Sequence, residues 1–152
     1  MAHYPVNHHL RQTYRLFAGA SGAYLALVGV VGVGVTWGDP FFHRGHDWVL
    51  GLRTNPAGAW LTALLGLAVL VAVLLGGNVH HHGSLVTGWG LLGVSMVLLA
   101  LIQTDANVLN VSMVNVIVLT LLGLVVLTAG LYGKVDDSAA TRADDERAHQ
   151  PA

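Results

Sequence analysis

Long apolar runs broken by short polar clusters dominate the chain. No Asp, Glu, Lys or Arg occurs between Arg15 and Asp39, from Thr54 to Thr104, or from Ala106 to Gly133. A helix needs roughly 20 apolar residues to cross a hydrocarbon core of about 30 Å. The runs therefore predict four spans, over 16–36, 57–77, 84–102 and 108–132. The longest run must be two spans, because Gly76-Gly77-Asn78-Val79-His80-His81-His82-Gly83 interrupts it with polar and flexible residues. The runs are continuous, not alternating with period two, so they read as helices and not as strands of a membrane barrel. The first is longer than the apolar core of a cleaved signal peptide, and no small-residue cleavage site follows it.

Composition agrees with the pattern. Of 152 residues, 54% are hydrophobic and 10% charged, against about 25% charged in a soluble domain. The mean hydropathy is +0.62. The expected fold is an all-α integral membrane protein, a four-transmembrane-helix bundle over 16–133. A segment of 15 residues precedes it, and an acidic tail over 134–152, with few large apolar residues, is expected to be disordered. The net charge of −1 supplies no basic patch for nucleic acid. The absence of cysteine removes disulfides, thiol redox chemistry and iron–sulfur clusters.

Arg11, Arg15, Lys134, Arg142 and Arg147 flank one side of the spans, and Arg44 and Arg53 the other. The excess of Lys and Arg places both termini in the cytoplasm of a plasma-membrane protein. Lipid gives helices little hydrophobic reason to associate, so small residues must pack closely. They recur at alternating spacings of three and four: Gly19, Gly22, Ala26, Gly29 in the first span and Ala59, Ala63, Gly66 in the second. In the third the row is Gly83, Val86, Gly90, Gly93, Val97, Ala100; in the fourth, Val116, Leu119, Gly123, Val126, Gly130. These rows predict the seams of a left-handed bundle.

The first outer loop, between Pro40 and Pro56, is too apolar for free solvent, with Phe41, Phe42, Trp48, Val49, Leu50 and Leu52. It is expected to fold along the interface as a lid over the bundle, Pro40 opening a short helix and Pro56 the second span. The third loop is expected to be a five-residue turn in which Asp105 or Asn107 caps the fourth helix. Asp39, Arg53, Asn55, Asp105, Asn107 and Asn110 then share one outer surface as a binding or structural cluster, with an Arg53–Asp105 ion pair at its centre.

The strings TWGDPFF (Thr36–Phe42), LGLRTNP (Leu50–Pro56), QTDANVLN (Gln103–Asn110) and GLYG (Gly130–Gly133) occur in that order, after Pro5-Val6-Asn7-His8. Together they resemble a family of actinobacterial four-span membrane proteins, designated domain of unknown function four-three-eight-three. The resemblance runs from about Pro5 to Gly133. It implies a four-span fold in the membrane and brings with it no activity, substrate or cofactor.

Nine histidines raise the question of metal. His43 and His46, three apart with Asp39 and Asp47 nearby, have a spacing compatible with an external zinc site. The run His80–His82 reads as polar residues closing a turn. Adjacent histidines point in different directions and make a poor preformed tetrahedral site. No histidine is expected at membrane depth to hold a haem, and no cofactor is expected. Ionisable residues inside spans, the usual mark of proton-coupled transport, are missing.

Three functional readings follow. The first is a non-enzymatic envelope protein whose outer loops meet another membrane protein, lipid, or a second copy as a homo-oligomer. The second is a small passive channel or carrier for a neutral solute. The third is an external metal-dependent activity using His43, His46 and Asp39.

Overall fold

The computed structural model describes residues 7–135; the acidic tail beyond Val135 lies outside the described residues. In chain order the elements are α1 (Arg11–Val35), β1 (Trp48–Val49), β2 (Leu52–Arg53), α2 (Pro56–Leu75), α3 (Gly77–Leu101) and α4 (Met113–Leu131). All four helices are long and apolar enough to cross a membrane. The protein is thus a four-helix transmembrane bundle.

The helices pack as two tight pairs, α1 with α2 and α3 with α4, and the pairs meet less extensively. Without a solvent-driven force, van der Waals contact must hold each pair, and that needs close backbones. A Cβ built on Gly29 would lie 2.2 Å from the Ala63 nitrogen, and one on Gly66 2.2 Å from that of Ala26. The α3–α4 seam does the same with Gly88 against Leu127 and Gly130 against Leu85. Leu25, Val69, Leu91 and Val126 fill the centre of the bundle.

The expected seam on the third span is corrected. α3 buries Ser84, Gly88, Leu91, Ser95 and Leu98 instead. Val86 and Val97 are exposed, and Cβ atoms on Gly90 and Gly93 would meet nothing. Hydroxyls decide the rotation. Ser95 Oγ donates to Leu92 O of its own helix and accepts from Thr120 Oγ1 of α4, a partner that the lipid side cannot offer.

Helix ends differ as well. α1 begins five residues before the expected span. α3 follows α2 after Gly76 alone (φ +68°), so the histidine run lies inside α3 and not in a turn. His81 Nδ1 donates to Gly130 O of α4 (2.6 Å), and His80 Nδ1 meets Ser84 Oγ (3.0 Å). Both rings are buried, while His82 faces outward.

α4 begins five residues later than expected, at Met113. The third loop is correspondingly longer. Neither Asp105 nor Asn107 caps the helix: Asn115 Oδ1 accepts from the backbone N–H of Ser112, as in a capping box, and also from the Ser112 hydroxyl.

The largest departure is in the first loop. Pro40 opens no helix. The segment forms a minimal antiparallel hairpin, with Trp48 opposite Arg53 and Val49 opposite Leu52. Its turn residues Leu50 and Gly51 both have positive φ (48° and 89°), the geometry that matches hairpin twist. Val49 and Leu52 are buried against Val28, with Tyr24 and Val118 packed around them. The hairpin is therefore a wedge between α1 and α4. Its tip reaches the middle of α1, where the Tyr24 hydroxyl donates to Leu50 O (3.0 Å).

Candidate functional site

A non-helical segment at membrane depth must find a partner for each backbone polar group inside the protein. That requirement explains the polar side chains gathered at the loop end of the bundle. Asn115, on the first turn of α4, acts as a third strand. Its Oδ1 accepts from Arg53 N–H (3.1 Å) and its Nδ2 donates to Arg53 O (2.7 Å). Asn55 is 1% exposed and caps α2, accepting from Gly58 N–H (2.8 Å). Its amide nitrogen donates to His43 O (3.1 Å) and Val108 O (2.8 Å), which ties both loops to one side chain. Asn110 donates to Gly45 O (2.8 Å), as does Arg53 Nη2 (3.1 Å).

Three of the six expected cluster residues, Arg53, Asn55 and Asn110, thus meet around the loop backbone. Asn107 instead organises its own loop. It donates to Val111 O (2.9 Å) and Ile102 O (3.3 Å) and accepts from Val111 N–H (3.0 Å). Asp39 stands exposed beside a cleft of about 340 Å³ lined by Thr36, Trp37, Pro56 and Trp60.

The expected Arg53–Asp105 pair is not formed. Asp105 pairs with Arg44, which donates to its backbone carbonyl and lies 3.7 Å from its carboxylate. The Asp105 side chain is fully exposed, so solvent screens this pair. Arg53 is turned away by the hairpin register, toward Gly45 O and His46 Nδ1 (3.5 Å). Its Nε is buried without a protein partner, beside an internal cavity of about 20 Å³ that Thr54, Thr62 and Asn115 also line.

His43 and His46 do not converge on a metal. Among the described residues no three His, Cys, Asp or Glu side chains could hold an ion together. The His43 ring and the Asp47 carboxylate fold over Gly45, where a Cβ would lie 2.6 Å from Asp47 Oδ2.

Ser84 and His80 form a hydroxyl–imidazole contact, but both are buried at the opposite end of the bundle. The carboxylates among the described residues, Asp39, Asp47 and Asp105, all lie at the loop end and cannot orient that imidazole. A nucleophile, base and orienting acid are nowhere assembled among the described residues.

Sequence reasoning left Asn115, Arg44 and Tyr24 out of the cluster. Asn115 had a signal: a lone amide in an apolar span, three residues after a serine. No family model, no curated protein and no solved structure matches the chain.

Proposed function

We propose that this is a non-enzymatic plasma-membrane protein whose loop end faces outward and binds another membrane protein. One observation carries the reading. The amide donors of Asn55 and Asn110 and the amide of Asn115 are turned onto the loops' own backbone, while Trp37, Phe41, Phe42 and Trp48 stand at least half exposed around them. Aromatic side chains on a rigid base are the usual anchors of protein interfaces. Three of the four strings that carry the family resemblance, over 36–42, 50–56 and 103–110, fall on this same cap. A passive pore finds less support, because the cavity inside the bundle is about 20 Å³.

Both helix termini that begin and end the bundle lie opposite the cap, and Arg11, Arg15 and Lys134 support a cytoplasmic location for that end. With an impermeant maleimide, Phe42→Cys should label in intact cells and His82→Cys only after permeabilisation; the reverse would invert the orientation. A photocrosslinking residue at Phe42 or Trp48, in native membranes, should yield a discrete protein adduct. Adducts to lipid alone would remove the interaction reading.

A further inference from the structure

A groove of about 430 Å³ runs along the lipid-facing side of α1 at the end opposite the cap, bordered by Val73 of α2. Gln12 and Arg15 stand at its mouth, and Gly19, Ala20 and Ala23 form its floor. Leu16 also lines it, and Leu27, exposed like Leu16, lies one turn beyond Ala23. From Arg15 at the mouth to Ala23 the groove extends about 12 Å at 1.5 Å per residue. One leaflet's hydrocarbon is about 15 Å deep, half of a core of about 30 Å. The groove covers most of an acyl chain's path through that leaflet.

The mouth is built for an anion. Arg15 Nε donates to Val73 O (2.9 Å) and Nη2 to Leu74 O (3.4 Å), which pins the guanidinium at the end of α2. Its Nη1 has no protein partner among the described residues. Gly76 permits this position, because a Cβ there would lie 3.1 Å from Nη2. Arg11, Arg15 and Lys134 gather at this end, and the described carboxylates are all at the other. A fixed guanidinium at headgroup level, with no carboxylate beside it among the described residues, is complementary to a lipid phosphate.

We propose that the groove is a binding site for one anionic phospholipid, its phosphate on Arg15 and one acyl chain along Gly19, Ala20 and Ala23. The site is independent of the cap. The test is native mass spectrometry of the purified full chain, titrated with phosphatidylglycerol or phosphatidylcholine of identical chains. Phosphatidylglycerol should bind about fivefold more tightly, the worth of one basic residue near a charged lipid. Arg15→Gln should abolish that preference. Because Arg15 also ties down the end of α2, Ala20→Phe is the deciding variant: it fills the groove on an exposed face, disturbs no packing, and should remove tight binding of either lipid. Glycerol phosphate, which has the headgroup without chains, should not compete. Equal retention of the two lipids, unchanged binding by Ala20→Phe, or competition by glycerol phosphate would each overturn the site.

Discussion

Asn115 holds two backbone groups of Arg53 that have no other route to a hydrogen bond between α1 and α4. An unpaired buried polar group costs about 1–3 kcal/mol. Asn115→Leu keeps the volume, strands both groups, and should destabilise the protein by about 2–4 kcal/mol in thermal unfolding in detergent. Charge behaves differently at this end. Arg53 and Asp105 share a surface, which is why the sequence suggests a pair, yet the hairpin register aims Arg53 at the Gly45 carbonyl. A double-mutant cycle on Arg53 and Asp105 should therefore be additive. Truncating Arg44 or Asp105 should leave the melting temperature unchanged, because their pair is open to solvent.

At the scale of elements, glycines fall into two kinds that spacing alone does not separate. Gly29 lies where two backbones touch, whereas Gly90 faces open space. Gly29→Ala should cost about 3 kcal/mol by forcing α1 and α2 apart. Gly90→Ala should be neutral or raise stability by up to about 1 kcal/mol through helix propensity. The four spans could be read from the sequence because lipid forbids charge over such lengths. The row of α3 that faces inward could not, because Ser84 and Ser95 choose it through partners on other turns and helices. The start of α3 was hidden for a similar reason. His81 reads as a polar turn residue until its partner, Gly130 O, arrives from a helix that is distant in sequence. The hairpin itself is two residues per strand, too short for alternation to announce it.

Over the whole molecule, two close-packed helix pairs leave a gap between α1 and α4 on the cap side, and the first loop fills it. The apolar character of that loop was legible, and with it a covering role. Its depth was not, because depth is fixed by Tyr24, Val28 and Asn115 on two different helices. The resulting cap is a rigid surface with its amides engaged internally and its aromatic residues outward. Amide hydrogen exchange of the protein in lipid nanodiscs tests this most directly. Amides of 49–54 should be protected as strongly as those of α2, and Asn115→Leu should release them while α2 stays protected. Exchange of these amides at the rate of an open loop in the wild-type protein, or unchanged protection in Asn115→Leu, would contradict the account.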